Sequence, residues 1–180
     1  DGNIPSDSHV IQGYDTDESL VEMEKKLKEK MADVPGFDVD QGISFCGSVD
    51  GYMEVLGIYI DSVGQKASDI EKFYKDEDYE NYTIQVHSLK STSKLVGALD
   101  ISERASEMEE AGNAHDVELI KEKTEGLLTD FRKLGKELAE LFSVEDIDDA
   151  SPAEDISDDM LDDAYNTLSE FASVMDYEDA

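Results

Sequence analysis

His87 lies in a polar stretch whose residue types could carry a covalent group on a ring nitrogen. If the stretch is helical, four residues lie beside it at spacings of three and four: Thr83, Ile84, Lys90 and Ser91. A neutral imidazole has one nitrogen that can attack, while the other donates a hydrogen bond that fixes the tautomer. Lys90 and, one turn further, Lys94 would supply positive charge to an incoming phosphoryl group. The pattern therefore indicates a candidate phosphoryl-accepting histidine.

The same spacing is also typical of an ordinary surface histidine on a helix, and periodicity alone does not separate the two interpretations. The inward stripe of this helix is expected to consist of Val86, Leu89, Ser93 and Val96. Because that stripe excludes His87, we expect its ring to face mostly solvent and Lys90 to be exposed. Ser91 is small and would leave room over the ring.

The helix that carries His87 is predicted to span about Tyr79 to Val96, between a polar turn at residues 76–78 and a C-cap at Gly97. Proline occurs only at positions 5, 35 and 152. Internal proline breaks helices, so the long proline-free interval between Pro35 and Pro152 is where a compact helical domain should lie.

Three more helices are predicted in that interval. The first begins near Val49 after a Ser48 cap, bends at residues 62–64 and continues to Tyr74. The second is shorter and covers Leu99 to Ala111. The third is long and runs from an Asp116 cap to about Phe142. Residues 37–48 carry several glycines without a helical period and are predicted to be a loop, and residues 111–114 a turn. Short turns between the helices predict an all-α, antiparallel up-down four-helix bundle.

The regions on either side of the bundle are predicted to add one helix each. Residues 1–36 would form a tail and an accessory helix from Asp15 or Thr16 to about Ala32, residues 37–143 the bundle, and residues 144–180 an acidic linker and an amphipathic helix. That last helix would run from Ser157 to about Asp176, with an apolar stripe of Met160, Leu161, Ala164, Leu168, Phe171 and Met175. An isolated helix is seldom stable, so we expect it to dock on the bundle, on the N-terminal helix or on chain beyond this sequence.

The composition narrows the classes of partner. The formal net charge is −31, and from Glu137 to Ala180 there are sixteen acidic residues and no lysine or arginine. Such a surface repels nucleic-acid phosphates and anionic lipids, so neither nucleic acid nor direct membrane contact is expected. There is no apolar run near the ~20 residues of a membrane span and no start resembling a signal peptide. With a single cysteine, Cys46, this favours the reduced cytoplasm.

No metal site is predicted. Asp146, Asp148 and Asp149 lack the glycine and the terminal glutamate of an EF-hand loop, and are expected to belong to a solvated acidic tail. The three histidines are scattered along the sequence at positions 9, 87 and 115.

The segment from Val86 to Ala98 resembles the signature of histidine-containing phosphotransfer (Hpt) domains. In that family the histidine is followed by a variable residue, an aliphatic residue, lysine, a small residue that is most often glycine, and a further glycine several positions on. This sequence has Leu89, Lys90 and Gly97 in those places, and departs from the common pattern with Ser91. The likeness extends from about Gly42 to Phe142.

The resemblance implies a role for each matched residue. His87 would be phosphorylated, and Lys90 would neutralise the phosphoryl group. A polar residue on the following helix would hydrogen-bond the other imidazole nitrogen; counting without gaps gives Glu109, and a shift in helix phase would give Ser106 or Glu110. A receiver domain would dock on the face around His87, with candidate contacts from Thr83, Ile84, Ser91 and Lys94.

The implied function is that of a phosphoryl carrier and not of an enzyme acting alone. It would accept a phosphoryl group from a receiver-domain aspartate and pass it to another receiver, in response regulators or hybrid kinases. The receiver would bring the magnesium, so no cofactor is expected; a monomer is favoured, although the oligomeric state is open. Two alternatives are a helical scaffold that is never phosphorylated and the phosphoacceptor domain of a chemotaxis-type histidine kinase.

Overall fold

A computed structural model describes residues 16–142, which form helices joined by short turns. The helices are α1 Thr16–Met31, α2 Val39–Cys46, α3 Val49–Lys75, α4 Tyr79–Val96, α5 Leu99–Ala114 and α6 Val117–Leu141. Within these residues there is no strand, only an isolated antiparallel bridge between Phe37 and Ala98. The predicted helix at 157–176, His9 and the acidic residues 146–149 lie outside the described residues.

Helices α3 to α6 form the bundle. Each packs against the next along the chain, and α6 returns to α3, which closes the ring around a shared apolar core. Turns of two or three residues connect them, and the last residue of each turn is the N-cap of the next helix: Asp78, Ala98 or Asp116. The two aspartates accept a hydrogen bond from the main chain, whereas Ala98 has no side chain that can do so. The prediction of an all-α helical bundle is confirmed.

Buried tyrosines attach α4 to its neighbours at three levels. From α3, the Tyr52 hydroxyl donates to the Val96 carbonyl at 3.0 Å, and the Tyr59 hydroxyl lies 2.9 Å from Ser93 Oγ. Tyr82 of α4 contacts Thr124 Oγ1 of α6 at 2.6 Å. Burial raises the pKa of Tyr82 to about 12 and that of Tyr52 further, so these hydroxyls stay neutral and keep their hydrogen bonds.

The prediction of a loop at residues 37–48 is wrong, because α2 forms there. Asp38 caps it by accepting from the Gln41 amide at 2.9 Å, and Gly47 ends it in the left-handed conformation at φ 78°. Gly42, which suggested a loop, lies inside the helix, where a Cβ would come 2.3 Å from the Tyr52 ring. That glycine allows a close approach and does not break the helix.

The predicted turn at residues 111–114 is also misplaced, since α5 continues to Ala114 and the left-handed cap is His115 at φ 58°. Gly112 is a helical residue packed against α4. A Cβ there would lie 2.0 Å from Thr83 Oγ1. Helix α3 is continuous through residues 62–64, as expected of a helix that continues past them, and the bend there stays a prediction.

The second half of α1 belongs to the bundle core. Leu27 and Met31 of α1, and Val34 just after the helix, are buried in the same apolar cluster as the residues of α3 to α6. Lys28 pairs with Glu24 on its own helix and with Asp40 on α2, and these carboxylates raise its pKa to about 12. The accessory helix therefore extends the bundle through its C-terminal half.

Gly97 and Gly64 provide a matched test of this fold. Gly97 has φ 85°, and a Cβ would lie 2.0 Å from the Asp38 carbonyl, whereas Gly64 is an exposed residue inside α3 with nothing within 4 Å. We expect Gly97→Ala to lower the free energy of unfolding by at least ~2 kcal/mol, because it combines a left-handed backbone with a clash against the main chain. Gly64→Ala should raise it by up to ~1 kcal/mol.

Urea unfolding of both variants beside the parent chain measures the two changes. Equal effects of the two substitutions would contradict the close contact between Gly97 and Asp38.

Candidate functional site around His87

His87 lies on the outer side of α4, opposite Val86 and Leu89, which are fully buried. The helix that presents it begins at Asp78, whose side chain accepts from the Asn81 amide at 3.2 Å; the hydrogen bonds from Asn81 lower the pKa of this carboxyl. The His87 side chain is 41% exposed. The ring is therefore reachable from solvent but less open than predicted, because α5 borders it.

Glu109 of α5 contacts the His87 ring directly. Its Oε1 lies 2.8 Å from Nδ1. An ionised carboxylate can only accept a hydrogen bond, so Nδ1 is the protonated nitrogen and, in the neutral ring, the lone pair lies on Nε2. Glu109, the residue obtained by counting along the sequence without gaps, is therefore the one in contact with His87. Glu110, one of the two alternatives, is exposed on α5.

The second oxygen of the same carboxylate pairs with Lys90. Its Oε2 lies 3.1 Å from Lys90 Nζ, and the Lys90 side chain is only 22% exposed. The prediction that Lys90 is exposed is wrong, because the ion pair draws its side chain into the groove between α4 and α5. His87, Glu109 and Lys90 form one connected group, called here the His87 cluster.

Small residues bring α5 close enough for Glu109 to reach the ring. One turn beyond Glu109, Gly112 packs on Thr83, where even a methyl group would clash. Two turns before it, Ser102 Oγ donates to the Lys90 carbonyl at 3.0 Å and fixes the height of α5 along α4. Sequence reasoning missed both residues, although Ser102, Glu109 and Gly112 recur at spacings of seven and three on one face of α5.

The four predicted docking residues differ in accessibility. Ile84 is 57% exposed, one turn before His87. Thr83 and Lys94 are partly buried, and Thr83 Oγ1 donates to the Tyr79 carbonyl at 2.6 Å. Ser91 is fully buried, so it cannot contact a partner; its small side chain serves the packing of α4 inside the bundle.

Two further findings concern residues 16–142 only. No group of three or more histidine, cysteine, aspartate or glutamate side chains is arranged to hold a metal ion. None of the helices is both long and apolar enough to cross a membrane.

The sequence model of the Hpt domain family matches residues 54–144, half of the chain, and covers most of α3 and all of α4, α5 and α6. The chain belongs to the Hpt domain family. Hpt domains carry phosphoryl groups on histidine in phosphorelays, where they interact with receiver domains. The matched stretch begins inside α3, so the likeness suggested for residues 42–53 lies outside it. Searches of curated proteins and of solved structures returned no significant match.

The tautomer of His87 in this Hpt domain can be measured directly. We expect long-range ¹⁵N NMR on the neutral ring to show a protonated Nδ1 and an unprotonated Nε2, because Glu109 accepts from Nδ1. Glu109→Ala should shift the population toward the Nε2-protonated form that neutral imidazole ordinarily prefers. Glu110→Ala, an exposed neighbour on the same helix, is the control and should leave the tautomer unchanged. An unaltered spectrum in Glu109→Ala would show that the contact does not set the tautomer.

Proposed function

We propose that this Hpt domain accepts a phosphoryl group on Nε2 of His87 from the aspartyl phosphate of a receiver domain and passes it to a second receiver. The observation that carries the proposal is the 2.8 Å contact between Nδ1 and Glu109. It assigns the proton to one ring nitrogen and nucleophilic character to the other, on the side of the ring away from Glu109.

In the proposed step, Nε2 attacks phosphorus in line with the bond to the receiver aspartate. The N–P bond forms while the P–O bond breaks, and the aspartate leaves as a carboxylate. The proton on Nδ1 stays in place, and the positive charge that develops on the ring is stabilised by the Glu109 carboxylate. Such transfer depends mainly on positioning and on charge neutralisation, and the second receiver reverses the step.

Lys90 neutralises the phosphoryl oxygens in this scheme. Its ammonium is held one helical turn from His87 by the 3.1 Å pair with Glu109. The flexible stem allows the ammonium to turn toward a phosphoryl group on Nε2, while Glu109 keeps its hydrogen bond to the ring. The ion pair with Glu109 thus keeps the Lys90 ammonium near the His87 ring before the phosphoryl group arrives.

Ile84 would anchor the receiver. It is an exposed large apolar residue one turn from His87, on a chain with a net charge of −31. Ile84 precedes His87 along α4, whereas Lys90 and Lys94 follow it, and these two lysines would face the acidic pocket around the receiver aspartate. We therefore expect a receiver to bind at this face, where an apolar side chain lies beside positive charge, and not elsewhere on the acidic surface of this chain.

In this scheme residues 37–143 are the transfer unit, and the flanking regions 1–36 and 144–180 are accessory segments. The chain acts as a carrier that receives its phosphoryl group from a receiver in the cytoplasm. The alternative of a scaffold that is never phosphorylated makes the opposite prediction in the next experiment.

Replacing the acceptor tests the proposal directly. When the parent chain is incubated with phosphorylated receivers and Mg²⁺, we expect a label on the chain that is labile in acid and stable in alkali. His87→Gln should abolish this label, because the glutamine amide provides no attacking ring nitrogen. His115 is an exposed histidine at the end of α5, and the control variant His115→Gln should be labelled like the parent. Absence of label on the parent from every receiver tested, or equal labelling of His87→Gln, would contradict the proposal.

Lys90→Ala tests the neutralising charge. We expect the transfer rate to fall about ten- to a hundredfold, because the transition state loses one charge-assisted hydrogen bond. Lys90→Arg should restore part of the rate. The free energy of unfolding should change by less than ~1 kcal/mol, because the pair with Glu109 is only partly buried.

Lys75→Ala removes an exposed lysine at the C-terminal end of α3, outside the His87 cluster, and is the matched control for net charge. An equal loss of rate in Lys75→Ala would assign the effect to overall charge. A loss of stability large enough to unfold Lys90→Ala would make Lys90 a structural residue.

A further inference from the structure

The apolar stripe of α1 is covered over only half its length. Leu27 and Met31 are buried against the bundle, but Met23, one turn earlier on the same stripe, is 39% exposed, and Leu20 before it is partly buried. Val21 is 65% exposed but lies on another side of α1, because residues two apart on a helix point about 200° apart. Among the described residues, the only other large apolar side chain that is exposed is Ile84, in the His87 site. The part of an apolar stripe that a bundle leaves open on an amphipathic helix is a place where a further helix can pack.

The end of α6 lies beside this face. The Phe142 ring is 5.0 Å from Lys30 Nζ of α1. Lys30 and Met23 are seven residues apart, so they share one side of α1 at a separation of about 10 Å along its axis. The chain that leaves α6 therefore begins at the C-terminal end of α1, about 10 Å along the helix from the open part of the stripe.

The C-terminal segment is opposite in charge to residues 25–30 of α1. Residues 143–180 contain fourteen acidic residues and no lysine or arginine. On α1, four lysines occur within six residues, at positions 25, 26, 28 and 30, and the first two are exposed. Residues 25–30 contain one glutamate beside these four lysines, whereas residues 16–24 contain four acidic residues and no basic one. Lys25 and Lys26 each lie 4.0 Å from a glutamate of α1, so the excess of positive charge is local to residues 25–30 and partly offset.

The sequence that follows also has the matching apolar pattern. Residues 157–176 repeat apolar side chains at helical spacing, with Met160, Leu168 and Phe171 among them, and acidic residues on either side of this stripe. The intervening residues 143–156 can span up to ~45 Å when extended, several times the distance required.

We propose that residues 157–176 dock on α1 as an intramolecular partner helix. Their apolar stripe would cover Leu20 and Met23, and their acidic residues would face Lys25 and Lys26. The open half of α1 is thus a binding site for the C-terminal segment of the same chain. The proposal is independent of phosphoryl transfer at His87.

Hydrogen exchange of the full chain, followed by mass spectrometry, tests this docking. We expect peptides from residues 157–176 to exchange at least about tenfold more slowly than an unstructured chain of the same sequence. Met23→Asp should return them to the unstructured rate, because it places a charge in the apolar contact. Ile84→Asp, which alters an exposed apolar residue of similar size on α4, is the matched control and should leave their protection intact.

A reciprocal variant separates docking from local unfolding of α1. Leu168→Asp should increase exchange in residues 16–26 while leaving peptides of α3 to α6 unchanged, and Lys25→Glu with Lys26→Glu should reduce the protection of residues 157–176. Unstructured exchange rates for residues 157–176 in the parent, or protection unaffected by Met23→Asp, would overturn the proposal. Protection that rises with protein concentration, together with a dimer mass in light scattering, would assign the face to a second copy instead.

Discussion

The close approach of α5 to α4 is the constraint on which the His87 cluster depends. Glutamate is a short side chain, and it reaches the His87 ring only because Gly112 packs directly on Thr83. The bond from Ser102 to the Lys90 carbonyl fixes the position of one helix along the other. A methyl group at Gly112 would push α5 outward, and the 2.8 Å contact would then be lost although no residue of the cluster had changed.

The rest of the bundle keeps α4 in place for this contact. Tyrosines from α3 bond to its C-terminal half, and Tyr82 joins it to α6. The inner face of α4 therefore contains buried serines and a threonine in places where an ordinary amphipathic helix would have leucine. In α4, the exposed residues all lie in its first two turns, and Ile84 is the last of them. The helix offers a narrow accessible strip, which includes the His87 ring.

In the proposed transfer at His87, the Glu109 carboxylate would resolve an electrostatic problem for a chain with a net charge of −31. A phosphoryl group is repelled by such a molecule unless positive charge is held near the acceptor atom. Glu109 uses one oxygen to orient the imidazole and the other to hold the Lys90 ammonium. One partly buried side chain thus sets the tautomer and positions the cation. These two effects, orientation and local charge, are the main contributions that a protein makes to phosphoryl transfer.

The sequence by itself determined the long helices, because their apolar period and their caps at Ser48, Asp78, Gly97 and Asp116 are local signals. The resemblance to Hpt domains, combined with a count along two helices joined by a short turn, also pointed to Glu109, which contacts the His87 ring. Only the tertiary structure decided that Gly42 and Gly112 are helical, that Ser91 is buried and that Lys90 is drawn in by Glu109. The reason is physical: a glycine that ends a helix and one that admits a neighbouring helix look alike along the chain, and the distance between helices is set by side chains far apart in sequence.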